Sequence, residues 1–211
     1  MADLNAISEA LQKGQANEVK ELVSAALEAG ASAKVILEEG MMAGMDVIGR
    51  KFRDGEIFVP DVLIAARAMN AGIEILRPVL VSEDVKPVGT VVIGTVKGDL
   101  HDIGKNLVKM MMEGKGINVV DLGTNVSADG FVAAAKEHDA QIICASALLT
   151  TTMVEMPTIV QAVEAAGLRP SVKIMVGGAP VTDEFCSSIG ADAYAGDAAS
   201  AAEKALALLS E

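Results

Sequence analysis

Apolar residues recur at a helical period through the first third of the chain. They return every three or four positions in Val19–Leu27 and Val35–Ala43, which is typical of amphipathic helices. Gly30 and Ser32 separate these segments as a C′ glycine and an N-cap serine. Pro60 suits the first turn of a further helix. The pattern predicts about four antiparallel helices packed as a small bundle.

The pattern breaks between Arg77 and Gly89, where Pro78 and Pro87 accompany polar residues. Beyond this break, short apolar runs alternate with helical stretches. The predicted strands are Thr90–Thr95, Ile117–Asp121, Ile142–Ser146 and Ile174–Val176. The predicted helices are Ile103–Glu113, Ala128–His138, Met153–Ala166 and Ala198–Leu209. Apolar strands alternating with helices indicate a parallel sheet covered on both faces.

These patterns together predict an α/β protein with two domains. An N-terminal four-helix bundle occupies residues 1–82, and a linker follows at 83–88. Residues 89–211 form a Rossmann-like (flavodoxin-like) doubly wound parallel sheet domain. Ligands of such sheets bind beyond the carboxyl ends of the strands, so chemistry is expected just after Thr95, Ser146 and Val176.

Composition narrows the possible partners. The chain has 211 residues, of which 51% are hydrophobic, so it can bury a core. It carries 17 basic and 29 acidic residues for a net charge of -12, which argues against nucleic acid because phosphate binding needs clustered Lys and Arg. We find neither a secretory signal nor an apolar run long enough to cross a membrane, and expect a cytoplasmic protein. Cys144 and Cys186 are expected to be small buried hydrophobes.

His101 is the candidate for chemistry after the first strand. Asp99, two residues earlier, could accept a hydrogen bond from one imidazole nitrogen while the other points outward to a metal. The alternative is a loop histidine that caps the following helix. His138 is expected to be a solvated helix-end residue. Because no cysteine or second histidine stands near His101, a bound metal must arrive with its other positions filled, as in a macrocycle.

The other strand ends are less specific. Ser146 to Thr152 is rich in hydroxyls that could bind an amide or base ring, and Thr152 could orient Asp99; one of the threonines could instead cap the next helix. Gly177-Gly178 could let a flat ligand lie against bare backbone, or form a tight turn. A phosphate-binding loop is disfavoured because five residues separate Gly98 from Gly104.

Three spaced motifs together carry a family resemblance. Asp99-Leu100-His101-Asp102-Ile103-Gly104, Ser146-Ala147-Leu148 and Gly177-Gly178 resemble the D-x-H-x-x-G, S-x-L and G-G signature of base-off, histidine-on corrinoid proteins. Phe52 to Pro60 resembles the helical cap segment of the same family. The chain is therefore similar, over nearly its whole length, to the corrinoid subunits of methyltransferase systems and to the cobalamin module of methionine synthase.

The resemblance implies a cobalamin or related corrinoid cofactor, bound base-off and histidine-on, as methylcobalamin in the methylated state. His101 would be the axial cobalt ligand, and Asp99 and Thr152 would continue a relay from it. Glu38, Phe52 and Val59 would contact the reactive side of the corrin. The remaining implied cofactor contacts are Gly98, Leu100, Asp102, Gly104, Ser146, Leu148, Thr150, Gly177, Gly178 and Ala198.

The function implied by the resemblance is that of a methyl carrier, not catalytic alone. A substrate:corrinoid methyltransferase would place the methyl group on cobalt(I), and a second methyltransferase would move it from methylcobalt(III) to tetrahydrofolate or a thiol. A reductive activase is a further implied partner, and no nucleic acid or membrane is expected. The sequence leaves the methyl donor open.

Three alternatives fit less well. A cobalamin-dependent sensor or regulatory module usually carries a DNA-binding domain, and no basic helix-turn-helix precedes Ala33 or follows it. A mutase module needs its cofactor face open to a barrel, which the helical cap argues against. A flavodoxin-like or receiver domain is disfavoured because Ser146, and not an aspartate, ends the third strand.

Overall fold

The computed structural model describes residues 3–83 and 85–210. Asp84, which belongs to the predicted linker, lies outside the described residues. Described residues up to Lys86, together with Gly114–Gly116, form one compact unit. Described residues from Pro87 onward, apart from those three, form the second. The placement of the linker at 83–88 stays a prediction.

The first unit is a bundle of helices that bury one apolar side each. Its elements are α1 (Leu4–Gln12), α2 (Ala16–Glu28), α3 (Ala33–Val35), a π-helical segment (Ile36–Met42), α4 (Ala43–Arg53) and α5 (Val59–Ser82). From α3 to α4 the helix continues without a break. Both predicted caps between α2 and α3 are present: Gly30 has a φ of 84°, and the Ser32 hydroxyl accepts a hydrogen bond from the Val35 N–H.

Helix α5 runs further than the sequence pattern indicated. The Asp61 side chain accepts a hydrogen bond from the Phe58 N–H at its start, and Pro60 lies in its first turn as predicted. The prediction that the helical pattern breaks at Arg77 was wrong, because α5 continues through Pro78 to Ser82. Pro78 lies on the exposed side of the helix, where the loss of one backbone hydrogen bond is least costly.

The second unit is built on a parallel five-stranded sheet. Its strands are β1 (Thr90–Thr95), β2 (Asn118–Asp121), β3 (Ile142–Ser146), β4 (Lys173–Gly177) and β5 (Ala193–Ala195), in the order β2-β1-β3-β4-β5. In this order the direction of winding reverses between β1 and β3, and ligands of such sheets bind at that reversal. Thr95 pairs with Ser146 in register there, so the loops that leave these two strands start side by side.

Helices cover the sheet, as the alternating pattern requires. They are α6 (Ile103–Glu113), α7 (Ala128–Glu137), α8 (Met156–Ala165), α9 (Asp183–Ser188) and α10 (Ala198–Leu209), with a 3₁₀ turn at Met153–Glu155 before α8. Helix α6 packs with α10, and α7 packs with α8. The prediction of a helical bundle followed by a doubly wound parallel sheet is confirmed. Within the described residues, none of the helices combines the length and apolarity that a membrane crossing requires.

The turn after β4 requires glycine at one of its two glycine positions. Gly178 has a φ of 121°, and a Cβ built on it would lie 1.8 Å from the Ala147 carbonyl oxygen. Gly177 has no such constraint, because its Cβ would make an ordinary contact of 3.5 Å with the Ala195 oxygen. Gly178 is therefore the residue that lets the β4 turn approach the loop after β3.

We predict that Gly178→Ala destabilises the protein more than Gly167→Ala does. Gly167 also has a positive φ, at 70°, but a Cβ on it would meet nothing within 4 Å. Either alanine should lower the free energy of unfolding by about 1–2 kcal/mol, because its backbone must adopt a positive φ. Gly178→Ala alone adds a steric clash, which costs roughly 1–3 kcal/mol more. Urea unfolding of both variants measures the difference, and equal losses would contradict the close approach to Ala147.

Candidate functional site

The loops after β1 and β3 meet at the carboxyl edge of the sheet. The Val96 N–H donates to the Ser146 carbonyl, and the Ala147 N–H donates to the Gly177 carbonyl. These bonds extend the pairing of β1, β3 and β4 just past the ends of the strands. As a result, the Asp99–His101 segment and the Leu148–Thr152 segment lie beside each other, although about fifty residues separate them in sequence.

Asp99 links the two loops and is fully buried. Its Oδ1 accepts hydrogen bonds from the His101 N–H at 3.0 Å and from the His101 Nδ1 at 2.7 Å. Its Oδ2 accepts from the Leu148 N–H at 2.8 Å and from the Thr152 hydroxyl at 2.6 Å. Burial alone would raise the pKa of Asp99, but these four hydrogen bonds outweigh it and hold the pKa well below its usual range. Asp99 is thus a buried carboxylate at neutral pH.

The Thr152 hydroxyl has two neighbours and one proton to donate. Its oxygen lies 2.6 Å from the Asp99 carboxylate and 3.0 Å from the Leu149 carbonyl. An ionised carboxylate can only accept, so the shorter contact requires the hydroxyl proton. The Leu149 carbonyl already accepts from the N–H groups of Thr152 and Met153, and has no need of the hydroxyl. Thr152 therefore donates to Asp99.

The Asp99 carboxylate also decides which nitrogen of His101 is available. Because Asp99 accepts at 2.7 Å from Nδ1, that nitrogen carries a hydrogen, and the neutral ring then has its lone pair on Nε2. The His101 side chain is 52% exposed, in contrast to the fully buried Asp99. The arrangement holds an imidazole at the surface with one nitrogen anchored and the other free to coordinate a metal.

Exposed apolar side chains lie on the loops after β1 and β3, at the same carboxyl edge of the sheet as this imidazole. Leu100 is 72% exposed and Ile103 is 77% exposed, on either side of His101 in sequence. Leu148 and Leu149, from the loop after β3, are also exposed. Large apolar side chains concentrated on adjacent loops are unusual on a protein surface and mark a place where an apolar ligand or partner binds.

Gly104, in the first turn of α6, has no structural reason to be glycine. Its φ is not positive, and a Cβ built on it would meet nothing within 4 Å. A glycine at a helical position costs stability relative to alanine. The space above Gly104 is therefore open to a ligand that a side chain would obstruct.

The structure places the other sheet-domain candidates along the same edge. Ser146 and Gly177 end their strands in a half-buried state, Thr150 is exposed, and Ala198 is the buried first residue of α10. Gly98 takes a φ of 81° where the chain turns toward Asp99. Asp102 precedes α6, and its side chain accepts a hydrogen bond from Asn106. Their roles as cofactor contacts stay predictions.

The three bundle candidates belong to the helical unit. Glu38 lies exposed in the π-helical segment and pairs with Lys34, Phe52 lies in the last turn of α4, and Val59 is the first residue of α5. π-helical segments are frequent at functional sites. The role of these residues as corrin contacts stays a prediction.

Two residues that position the histidine loop escaped the sequence motifs. The Thr95 hydroxyl donates to the His101 carbonyl at 2.9 Å, and the Asn125 side chain accepts from the Gly98 N–H at 2.8 Å. Asn125 is one of two described non-glycine residues with a positive φ, at 57°. In the sequence, Thr95 looks like any other β-branched strand residue, and Asn125 lies on a different loop. Neither residue therefore carries a local signal of contact with the histidine loop. Only the residue type of Asn125 offers a weak hint, because asparagine adopts a positive φ more often than most residues do.

Comparison with known proteins shows what this arrangement resembles. Two family models, both described as a B12 binding domain, match residues 3–77 and 89–206. Trimethylamine corrinoid protein 1 of Methanosarcina mazei is 46% identical over 191 residues, which cover 90% of this chain and 88% of the relative.

Two solved structures share the fold over nearly the whole chain. A cobalamin-binding protein from Desulfitobacterium hafniense has a TM-score of 0.82 at 31% identity, covering 99% of both chains. A chain of the methanol:cobalamin methyltransferase complex MtaBC from Methanosarcina barkeri has a TM-score of 0.86 at 33% identity, covering 98% of this chain and 79% of that one.

We predict that Asp99→Asn loses about 1.5–3 kcal/mol of stability at pH 7, because an amide cannot accept all four hydrogen bonds. The pKa of Asp99 is lowered by folding, so its contribution is present above its unfolded value of about 3.9 and is lost as pH falls through the native value. The gap between wild type and variant should therefore be widest near neutral pH and narrow below about pH 4.

Urea unfolding across this pH range measures the gap. Asp102→Asn is the matched control, since it removes the same charge from the same loop but keeps an acceptor oxygen for Asn106. Asp102→Asn should cost much less than Asp99→Asn at pH 7. A gap for Asp99→Asn that is independent of pH would show that the buried carboxylate is not the source of the stability.

Proposed function

The chain belongs to the B12-binding corrinoid proteins, and from this premise we propose that it is the methyl carrier of a methyltransferase system. The observation that supports this most is the His101 imidazole, held by a buried carboxylate at the carboxyl edge of β1 and β3 with Nε2 free. A carrier would need such a ligand to hold a cobalt corrinoid through a single protein atom.

The residues present fit a base-off, histidine-on corrinoid. The free Nε2 of His101 supplies one metal ligand, which is all that a macrocyclic cofactor needs from the protein. The exposed Leu100, Ile103 and Leu148 offer an apolar seat to a macrocycle. The open space over Gly104 offers a path to a nucleotide tail whose base no longer binds the metal.

The chain's own groups have distinct tasks in this proposal. When bound, the corrinoid supplies a cobalt centre that can accept a methyl group and release it. His101 would hold that centre through Nε2. Asp99 keeps the Nδ1 proton in place, whether or not Nε2 is bound to the metal, and so fixes the orientation of the ring. Thr152 donates to the other oxygen of Asp99, so the carboxylate stays oriented in both states.

The displaced tail would enter the sheet domain along its carboxyl edge. We assign to it the surfaces of Gly104, Ser146, Leu148, Thr150, Gly177, Gly178 and Ala198, and keep Gly98 and Asp102 as further contacts of the cofactor. Gly177 supports this assignment, because it does not need to be glycine for the fold whereas its neighbour Gly178 does. Bare backbone at Gly104 and Gly177 lets a flat group approach more closely than any side chain allows.

The proposed partners are two methyltransferases and a reductive activase. One methyltransferase recognises the methylated substrate and transfers its methyl group to the carrier. The second transfers the methyl group from the carrier to tetrahydrofolate or a thiol. Trimethylamine corrinoid protein 1 and the MtaBC complex, named for amine and methanol systems, support a partner of the first kind. In this scheme the carrier does not itself select the substrate.

We predict that Gly104→Ala has opposite effects on the apoprotein and on corrinoid binding. The added methyl group meets open space at a helical position, so the apoprotein should gain about 0.5–1 kcal/mol of stability. The same methyl group narrows the path of the tail, so corrinoid affinity should fall. Thermal unfolding and a binding titration followed by absorbance measure the two effects. Unchanged affinity would count against a tail path over Gly104.

We also predict that His101→Ala weakens corrinoid binding and methyl transfer while the fold is retained, because the imidazole is half exposed and its only described side-chain partner is Asp99. His138→Ala is the matched control, since the second histidine lies at the exposed end of α7. Binding titrations and transfer from free methylcobalamin to a partner enzyme measure the difference. Wild-type affinity and turnover in His101→Ala would contradict the proposed axial ligand.

A further inference from the structure

Thr95 is a fully buried residue that the corrinoid motifs do not include. It is the last residue of β1, and its hydroxyl donates to the His101 carbonyl oxygen at 2.9 Å. The bond spans six residues and closes the whole loop from the end of the strand to the histidine. The Thr95 hydroxyl is therefore buried and satisfied by the backbone of His101, the candidate metal ligand. Strand formation alone does not require a hydroxyl at this position.

Both backbone groups of Thr95 are hydrogen bonded to the segment that follows β2. Its N–H donates to the Gly123 carbonyl, and its carbonyl accepts from the Val126 N–H. The strand also pairs Thr95 with Ser146 in register. The Thr95 backbone is therefore fixed in the sheet. Because its hydroxyl binds the His101 carbonyl, it also fixes the position of the histidine loop relative to the sheet.

His101 is thus fixed at three polar atoms. Asp99 accepts from its N–H and from its Nδ1, and Thr95 donates to its carbonyl. The two anchors act on opposite sides of the residue: Asp99 sets the backbone N–H and the ring, whereas Thr95 sets the carbonyl side of the same residue. With both in place, Nε2 is the one polar atom of His101 that has no hydrogen bond to residues 3–83 or 85–210.

We propose that Thr95 is a positioning residue that holds His101 ready to coordinate cobalt. This inference rests on the proposed function. Without the Thr95 bond, the His101 carbonyl and the peptide that follows it can reorient, and the loop then has to be ordered again whenever the imidazole binds the metal. Preorganisation of this kind shifts a binding equilibrium without any contact to the ligand.

The test compares Thr95→Val and Thr95→Ser in the corrinoid-loaded protein. Valine keeps the size and β-branching of threonine but lacks the hydroxyl, while serine keeps the hydroxyl. Thr90→Val is the control for the substitution itself, since Thr90 lies at the other end of the same strand and its hydroxyl accepts from Asn118 at 3.3 Å.

The readout is the midpoint potential for reduction of cobalt(II) to cobalt(I), because a ligand that binds cobalt(II) more tightly than cobalt(I) makes this potential more negative. Loss of one hydrogen bond should weaken the binding of His101 to cobalt(II) by about threefold to tenfold. The midpoint potential of Thr95→Val should then become less negative by about 30 to 60 mV. Thr95→Ser and Thr90→Val should keep the wild-type potential.

His101→Ala, loaded at saturating corrinoid, separates this inference from the proposed function. If its potential equals that of wild type, the imidazole does not bind cobalt and the proposed function fails. If His101→Ala differs from wild type while Thr95→Val does not, the proposed function stands and the role of Thr95 is overturned.

A measurement on the wild-type apoprotein keeps the inference testable even if Thr95→Val does not fold. A hydroxyl proton that is buried and bonded to a carbonyl exchanges slowly with water, whereas that of the exposed Thr151 exchanges fast. Nuclear magnetic resonance should therefore detect the Thr95 hydroxyl proton under conditions where that of Thr151 is lost. Equally fast exchange of both would contradict the bond on which the inference depends.

Discussion

The buried carboxylate of Asp99 is the constraint on which the site depends. It accepts hydrogen bonds from the backbone of two loops, from the Thr152 hydroxyl and from the His101 ring. A carboxylate can be buried at neutral pH only when its lone pairs are satisfied in this way, so the loops after β1 and β3 must both be in place. The same bonds leave the Nε2 of His101 free. The stability of the loops and the chemistry of the imidazole therefore share one origin.

The position of this carboxylate follows from the topology of the sheet. Because β1 and β3 are neighbours, two segments far apart in sequence start from paired residues, Thr95 and Ser146. In sheets of this kind, the reversal of winding leaves a crevice at the carboxyl ends of the strands. Gly104 and Gly178 show two ways in which this edge uses glycine: Gly178 is required by the fold, whereas Gly104 costs helix stability and leaves space. Open space beside Gly104, kept although alanine would make the helix more stable, is typical of a binding site.

The sequence allowed the layout of the fold and the central motif to be predicted, because both depend on local patterns. The helical period, the apolar strands and the Asp99–His101 spacing are each contained in a few neighbouring residues. Strand β5 was missed, since three residues, Ala193–Ala195, are too short to show a pattern. The contribution of Thr95 was missed because its hydroxyl acts on a residue brought near only by the turn at Gly98. A hydrogen bond from a side chain to a backbone carbonyl six residues away carries no signature in one sequence.

In the loaded protein, the proposed ligand of cobalt is the Nε2 of His101. Electron paramagnetic resonance of the cobalt(II) form can identify this ligand, because a coordinated nitrogen splits the cobalt lines by its nuclear spin. We expect a triplet splitting with natural histidine that becomes a doublet when histidine alone is labelled with ¹⁵N. A splitting that does not change with the label, or the absence of any nitrogen splitting, would show that His101 is not the ligand.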